Sequence, residues 1–243
     1  MNYSTPIAVI PNFLTPEECD SILAVAERLE WDPGMIGGHP KNGYDADGKP
    51  TEMGGKRDSQ IRQSDVKWIQ HGAMGEALDN KICEGINSCN NISGWNFAWS
   101  EVEPHQFTVY HHREDYDKEW SDAVKDGSAV PGDHYTWHQD SGPFDQGQQP
   151  GFIRKLSSTI QLSAPDDYEG GQFQYIDPNG IFDSLKDNSR KYDIDQHIKT
   201  VGHSAKARGS LIVFPSYMYH QVKPVTKGTR ISLVSWFHGP RHV

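Results

Sequence analysis

The sequence has few cysteines: only Cys19, Cys83 and Cys89, with no CxxC pair among them and one left over from any pairing. This argues against a disulfide framework, because disulfide-stapled proteins carry paired cysteines and mature in oxidising compartments. We therefore interpret the three residues as structural thiols, and we expect a reducing, cytoplasmic setting.

The sequence also lacks long apolar runs and an excess of cations. No apolar segment is long enough to span a bilayer, and residues 1–6 lack the basic-then-apolar pattern of a signal peptide. Lys and Arg number 23 against 33 Asp and Glu, which gives a formal net charge of -10. Because a phosphate backbone is bound through a Lys/Arg footprint, we expect neither nucleic acid nor a membrane as partner. Basic peptides and small molecules remain open.

What the sequence does contain is enough for one core. Its 243 residues are 35% hydrophobic and 23% charged, which predicts a single globular domain. Thr15 and Glu18 form a capping box around Pro16, and apolar residues then recur at helical spacing. We expect a second helix around residues 65–87. Between the two helices, residues 31–56 hold seven glycines and three prolines without periodicity, and we interpret this loop as a candidate lid.

The chain beyond the second helix alternates strand-like and turn-rich segments. The predicted strands are WNFAWSEVE (95–103), QFTVYHH (106–112), HYTWHQD (134–140), KLSSTIQLS (155–163), GQFQYID (171–177), GSLIVFP (209–215) and RISLVSWFH (230–238). Helices followed by strands indicate an α+β fold with a β-sandwich or jelly roll. Within one domain over residues 1–243, residues 1–100 would supply helical and strand support with the lid loop, and residues 101–243 the jelly-roll core. The segment YEGG (168–171) is typical of a glycine-dependent hairpin turn.

A histidine and an aspartate, His138 and Asp140, lie two residues apart in HYTWHQD. Residues two apart on a strand point to the same face, so both side chains can reach one metal ion. Fe(II) accepts imidazole and carboxylate together, and two histidines with one carboxylate leave three coordination positions open for an oxygenase. His220, which follows the apolar run that starts at Leu211, is the best third ligand.

Ten residues after His220, Arg230 opens the strand RISLVSW. Alternation along this strand places Ser232, Val234 and Trp236 on the same face as Arg230. If that face lines a barrel, the guanidinium lies inside it and needs an anion, which a dicarboxylate cosubstrate would supply. The strand KLSSTIQLS has a polar face of its own, which indicates a hydrogen-bonded ligand rather than a dry core. The candidate ligand-binding residues on these faces are Ser157, Thr159, Gln161, Arg230 and Ser232.

The order of HxD, a distant histidine and an arginine ten residues later resembles the iron(II)- and 2-oxoglutarate-dependent dioxygenases. Within them, LSSTIQLSAPDDYEGGQF and ARGSLIVFPSYMYHQVKPVTKGTRISLVSWF are similar to prolyl 4-hydroxylases, most of all to the PKHD-type hydroxylase branch. PNFLTPEECDSIL and RQSDVKW also resemble the N-terminal part of that family. The resemblance therefore extends over most of the chain.

The resemblance implies a double-stranded β-helix in which iron binds the two histidines and the aspartate, and in which Arg230 binds the distal carboxylate of 2-oxoglutarate. It implies O2 as the second cosubstrate and ascorbate as reductant. Matching family positions place Tyr110 near the cosubstrate, and Tyr135 and Trp236 in the pocket beside the metal. A charged insert separates Tyr110 from Tyr135, and Gln161 stands where several relatives have tyrosine, so these contacts stay open. No role follows for segments 113–133 and 177–208.

The remaining histidines have simpler interpretations. His111 and His112 are adjacent, so they face opposite sides of a strand and cannot share one ion. Five further histidines are expected at the surface: His134, His197, His203, His238 and His242.

The resemblance implies an enzyme that hydroxylates an unactivated C–H bond, with succinate and CO2 as co-products. The resemblance favours a proline within a peptide or protein, and the charge of -10 favours basic flanking residues. One alternative is a hydroxylase of a free amino acid or another small molecule. A non-catalytic metabolite-binding jelly roll would have no need for three metal ligands and an interior arginine. A halogenase would need the position of Asp140 open for halide, and the acidic charge argues against demethylation of nucleic acid.

Overall fold

A computed structural model describes residues 5–36, 58–113, 118–129, 131–141, 151–179 and 194–241. The candidate lid lies mostly outside these ranges, since only residues 31–36 of it are described. Parts of the segments 113–133 and 177–208 lie outside them as well. Within the described ranges, no helix combines the length and the apolar character that crossing a bilayer requires.

The described chain contains three α-helices and fourteen strands. The helices are α1 (Pro16–Glu27), α2 (Glu76–Ile92) and α3 (Lys118–Lys125). The strands are β1 (Ala8–Ile10), β2 (Asp32–Pro33), β3 (Arg62–Gln63), β4 (Asp65–Ile69), β5 (Glu101–Val102), β6 (His105–His111), β7 (His134–His138), β8 (Phe152–Gln161), β9 (Tyr168–Gly170), β10 (Phe173–Ile176), β11 (Ile198–Thr200), β12 (Leu211–Pro215), β13 (His220–Val222) and β14 (Val225–Pro240).

These strands form two antiparallel sheets of a jelly roll, as the sequence predicts. The larger sheet has nine strands in the order β1-β12-β8-β14-β6-β4-β2, with β5 and β9 paired to β14. The smaller sheet has five strands in the order β11-β10-β13-β7-β3. Strands from before residue 101 are part of both sheets, because β1 pairs with β12, β4 with β6, and β3 with β7.

Helix α1 begins where the capping box predicts. The Glu18 backbone N–H donates to Thr15 Oγ1 at 3.2 Å, and the Thr15 N–H donates to Glu18 Oε2 at 2.8 Å. These two bonds satisfy backbone donors that the first turn of a helix leaves unpaired. The helix then buries Cys19, Ile22 and Ala26 against the larger sheet.

Two apolar cores lie on opposite faces of the larger sheet. The outer core joins α1 and α2 to the sheet through Ile22, Ile82 and Phe237, each of them fully buried. The inner core lies between the two sheets, where Phe214 of β12 faces Phe173 of β10. Burial of each such side chain contributes about 1.5–3 kcal/mol, so the pocket described below is built on a rigid frame.

The expected helix over residues 65–87 is wrong in its first part. Asp65–Ile69 forms β4, which pairs along its whole length with β6. Gly72 and Gly75 follow with φ values of 81° and 91°, a conformation that interrupts a helix, and α2 starts only after them. Pairing with the long strand β6 therefore outweighs the helical pattern of this segment.

The expected strand WNFAWSEVE is also wrong for most of its length, since only Glu101–Val102 is a strand. The Asn90 side chain takes the place of a neighbouring strand: it accepts from the Phe97 N–H at 3.0 Å and donates to the Phe97 carbonyl at 2.9 Å. The aromatic residues of this segment pack instead, with Trp99 4.9 Å from the ring of Phe237. The other six predicted strands are confirmed.

The YEGG segment is not a simple hairpin turn. Tyr168–Gly170 forms β9, which pairs with β14, whereas the next strand, β10, belongs to the smaller sheet. Its dependence on glycine is confirmed, because Gly170 has φ 77° and a Cβ there would lie 2.2 Å from the Pro224 carbonyl oxygen.

Candidate metal centre and adjoining pocket

Strands β7 and β13 bring the two histidines of the predicted triad face to face. β7 ends with His138, β13 begins with His220, and the two residues pair directly across the strands. Asp140 follows β7, and its backbone N–H donates to the Ser216 carbonyl at 2.9 Å. This bond ties the HxD segment to the turn before β13, so residues that are distant in sequence converge at one point.

The three side chains aim their metal-binding atoms at a common space. Nε2 of His138 lies 3.6 Å from Asp140 Oδ1, and Nε2 of His220 lies 3.6 Å from Asp140 Oδ2. The Nδ1 atoms bond to the backbone carbonyls of Thr136 at 2.7 Å and Met218 at 2.9 Å. Because a carbonyl only accepts, each Nδ1 carries the hydrogen and each Nε2 keeps its lone pair for the common space.

Burial of His220 and the charges around Asp140 favour the protonation states that metal ions bind. Burial lowers the pKa of His220 to about 4, with the nearby His138 acting in the same direction. Burial raises the pKa of Asp140, but His220, His138 and Arg154 outweigh it and hold the pKa of this carboxyl well below its usual range. At neutral pH the aspartate is therefore ionised and His220 is neutral, as metal coordination requires.

This donor set fits Fe(II). Two imidazole nitrogens and one carboxylate oxygen, all within 4.8 Å of one another, form the set that non-haem iron oxygenases use. The 3.6 Å separations between the histidine Nε2 atoms and the Asp140 oxygens exceed hydrogen-bond length. A metal ion between the three groups would give these nitrogen and oxygen atoms a common partner.

A narrow pocket between the sheets adjoins the triad and receives most of the other predicted site residues. Arg230 is 4% exposed, and one of its Nη atoms lies 3.4 Å from Ser232 Oγ. The alternation predicted for β14 is confirmed, because Arg230, Ser232, Val234 and Trp236 all line the pocket. The other predicted residues on its wall are Tyr110, Tyr135 and Thr159.

Gln161 and Ser157 lie elsewhere. Gln161 lines a second cavity of about 700 Å³, whose wall also includes Arg230 and Tyr168. The buried Gln161 Nε2 has no hydrogen-bond partner among the described residues. Ser157 is fully buried, and its Oγ bonds to Ser216 Oγ at 2.9 Å. Its hydroxyl therefore stabilises the fold and does not face the pocket.

Tyr135 and Trp236 line the same pocket as the three candidate metal ligands. The ring of Tyr135 stacks on His138 with centroids 3.4 Å apart. Trp236 lies under the guanidinium of Arg154, whose Cζ is 4.1 Å from the indole centre. Both aromatic residues therefore help to hold the pocket wall in place.

Two arginines at this site, the half-buried Arg154 and the buried Arg62, were not predicted from the sequence. Arg154 binds both carboxylate oxygens of Glu103, with Nη2 to Oε2 at 2.7 Å, and its Nη1 donates to the Asp140 carbonyl at 3.4 Å. Arg62 lines the pocket, lies 4.7 Å from the Tyr135 ring centre and donates to Gln106 Oε1 at 2.8 Å. Arg62 is part of the segment RQSDVKW, but β3 is too short to show an alternating pattern.

Several histidines expected at the surface are buried. His134 is 1% exposed and stacks on Trp120 with ring centroids 4.0 Å apart, and His238 is 2% exposed and bonds to Glu103. His197 is 8% exposed. Each lies on or beside a sheet whose packing the sequence does not reveal, whereas His203 is exposed as expected and His242 lies outside the described residues.

Residues 127–238 match the model of the 2OG-Fe(II) oxygenase superfamily. A PKHD-type hydroxylase of Cupriavidus metallidurans is 34% identical over 82 residues, which are 33% of this chain and 27% of that protein. A PKHD-type hydroxylase of Stenotrophomonas maltophilia is 31% identical over 105 residues, which are 43% of this chain and 38% of that protein. The matched part thus spans well under half the length of these curated relatives.

The fold has solved counterparts. A prolyl hydroxylase from Trichoplax adhaerens, determined in complex with a hypoxia inducible factor oxygen degradation domain peptide fragment, superposes with a TM-score of 0.57. The alignment covers 96% of this chain and 83% of that one at 16% identity, so it shows a shared fold. The part of the chain that carries the triad and Arg230, residues 127–238, is therefore similar to the 2OG-Fe(II) oxygenase superfamily, and the relatives it resembles include PKHD-type hydroxylases.

Proposed function

We propose that this protein is an Fe(II)- and 2-oxoglutarate-dependent dioxygenase that hydroxylates an unactivated C–H bond and releases succinate and CO2. One observation carries the proposal: the donor atoms of His138, Asp140 and His220 converge beside a pocket that contains the buried Arg230. Iron held by these three residues supplies the means to activate O2. The protein's own part is to bind, to orient and to exclude water.

Arg230 is the anchor for the distal carboxylate of 2-oxoglutarate. A guanidinium that is 4% exposed needs an anionic partner, and its fork matches a carboxylate in two hydrogen bonds. Ser232 and Thr159 share its pocket and can donate to the same cosubstrate, and Tyr110 lies with its ring 5.6 Å from the Arg230 Cζ. Gln161 reaches this site only from the side of the second cavity that it shares with Arg230.

The substrate we propose is a proline within a peptide or protein. Partly exposed apolar side chains flank the triad: Tyr217 is 55% exposed and Tyr219 is 50% exposed, both in the turn before His220. On the other side, Ile61 is 37% exposed and its carbonyl accepts from Thr136 of β7. An extended peptide can cover such a surface, and a prolyl hydroxylase of the same fold has been determined with a peptide fragment. The net charge of -10 favours a basic stretch around the proline.

The domain organisation follows from the same proposal. Residues 1–243 would form one dioxygenase domain, in which residues 1–100 support the jelly-roll core formed by residues 101–243. The pairing of β1 with β12 and of β4 with β6 supports this view.

The test is incubation of the full chain with Fe(II), 2-oxoglutarate, O2 and ascorbate against two substrate sets, measuring succinate and a one-oxygen mass gain in parallel. One set contains proline peptides with basic or acidic flanks, each matched by a peptide with alanine in place of proline. The other contains free amino acids. We expect oxygenated proline peptides, with basic flanks preferred, and no product from the Asp140→Ala variant. Product from free amino acids alone would contradict the peptide assignment while keeping the chemistry, and the absence of both succinate and product would contradict the chemistry.

A further inference from the structure

A second cluster of metal-binding side chains lies outside the pocket just described. His71 follows β4, Asp79 is on α2 and His105 opens β6. One ring nitrogen of each histidine and one carboxylate oxygen of Asp79 lie within 4.8 Å of one another. None of the three residues lines the pocket around the triad, so the cluster has no part in the proposed reaction.

Two buried polar atoms of this cluster lack partners. His105 is 1% exposed, yet its Nε2 has no hydrogen-bond partner among the described residues, and the same holds for Asp79 Oδ1. These two atoms face each other at 3.5 Å, longer than the roughly 2.7–3.2 Å of an ordinary N–H···O bond. A buried polar group without a partner destabilises the fold, and a ligand that both atoms bind would remove that penalty.

In each of the three residues, one side-chain nitrogen or oxygen atom is hydrogen-bonded to a neighbouring group. The second such atom stays available to bind a metal ion within the cluster. His71 Nε2 donates to the Val102 carbonyl at 3.0 Å, which leaves the lone pair on Nδ1. His105 Nδ1 bonds Ser235 Oγ at 2.7 Å, and Asp79 Oδ2 accepts from the Gly72 N–H at 2.5 Å. Metal-ligating histidines and carboxylates are typically oriented by bonds of this kind through their outer atoms.

We propose that His71, Asp79 and His105 bind a divalent transition-metal ion, and we take Zn²⁺ as the ion that probes the site. Zn²⁺ accepts imidazole nitrogen and carboxylate oxygen, and with three protein ligands it takes water in its fourth position. The bound ion joins the turn after β4, helix α2 and strand β6, three elements that meet at the outer face of the larger sheet. Its role is to stabilise this part of the fold, separately from the iron site.

The test uses the full chain in a background without the triad, His138→Ala/His220→Ala, so that zinc binding at the iron site does not contribute. Zn²⁺ is titrated by calorimetry into this background, into the background with His71→Ala added, and into the background with His112→Ala added. His71 and His112 are both exposed, so neither change disturbs the core. Circular dichroism verifies that all three proteins are folded.

We expect about one Zn²⁺ per chain in the background and in the His112→Ala protein, and binding weakened at least ~100-fold in the His71→Ala protein. Zn²⁺ should also raise the unfolding temperature of the background protein and of the His112→Ala protein, but not that of the His71→Ala protein. Anomalous scattering from zinc-soaked crystals of the background protein should show a peak between His71 and His105. Equal zinc binding with and without His71, or no binding in the background, would overturn the proposal and leave a buried histidine–aspartate pair.

Discussion

His138 and His220 face each other across β7 and β13, with their ring centroids 4.1 Å apart. The two imidazoles therefore owe their proximity to the pairing of β7 with β13 inside the smaller sheet. Asp140 completes the cluster from the same end of β7, held by its backbone bond to Ser216. Backbone structure thus fixes all three candidate ligands, and the two histidines are held in addition by their Nδ1 bonds to backbone carbonyls.

We expect His138→Ala, Asp140→Ala and His220→Ala each to abolish hydroxylation and to remove the Fe(II) site in the pocket. Loss of one of three ligands leaves too few protein donors to hold Fe(II) at its working concentration. Anaerobic Fe(II) titration and a succinate assay measure the two effects. His112→Ala is the control, because this exposed histidine lies outside the cluster. Undiminished turnover in Asp140→Ala would show that the cluster is not the iron site.

Arg230→Lys should raise the apparent KM for 2-oxoglutarate by ~10–100-fold, while the affinity for Fe(II) stays within about twofold of the wild type. Lysine keeps the positive charge but loses the fork that binds a carboxylate through two bonds. The measurement is a 2-oxoglutarate titration of both proteins at saturating iron. Lys227→Ala, an exposed change on the same strand, should leave the curve unchanged. Identical curves for the wild type and Arg230→Lys would mean that Arg230 is structural.

Arg154 is expected to act as a positioning residue for the iron site. Its guanidinium contacts the Trp236 ring, the Glu103 carboxylate and the Asp140 carbonyl, so it links the pocket wall to a candidate metal ligand. Arg154→Gln should weaken Fe(II) binding by ~10-fold, as loss of an orienting partner does in other metal sites, while the 2-oxoglutarate constant changes little.

Arg208→Gln serves as the control for Arg154→Gln, because Arg208 bonds Asp20 away from the pocket. Fe(II) titration and cosubstrate titration are carried out on both variants. If Arg154→Gln weakened Fe(II) binding and 2-oxoglutarate binding equally, the result would indicate general destabilisation rather than a positioning role.

Glu103 should make stability depend on pH in the acid range. Burial raises the pKa of Glu103, but Arg154 and His238 outweigh it and lower the value from 4.5 to about 2. A carboxyl whose pKa is lower in the folded state stabilises the fold above its unfolded pKa, and this contribution is lost as pH falls from about 4.5 towards 2.

Glu103→Gln should therefore reduce the free energy of unfolding at pH 7 by on the order of 3 kcal/mol. The difference from the wild type should shrink as the pH falls below about 4.5. Urea denaturation of both proteins at neutral and acid pH measures it. Glu169→Gln, at an exposed glutamate, should show no such trend. A difference that stays constant with pH would mean that the ionised form of Glu103 contributes nothing.

The sequence by itself determined what depends on local geometry. Residues two apart on a strand share a face whatever the strand packs against, so the inward face of Arg230, Ser232 and Trp236 could be predicted. The capping box of α1 is equally local, because its bonds join residues three apart. Asp140 lies just past the end of β7, and its backbone bond to Ser216, which the sequence does not reveal, holds it beside His138.

Only the tertiary structure decided the contacts that depend on which strands become neighbours. Asp65–Ile69 became a strand because β6 was available to pair with it, and WNFAWS stayed irregular because Asn90 bonds its backbone. Arg154 reaches Glu103, and His105 reaches Asp79, from distant parts of the chain. No periodicity in the sequence predicts such long-range contacts. Sheet register and the packing of helices on the sheet determine which polar groups come within bonding distance.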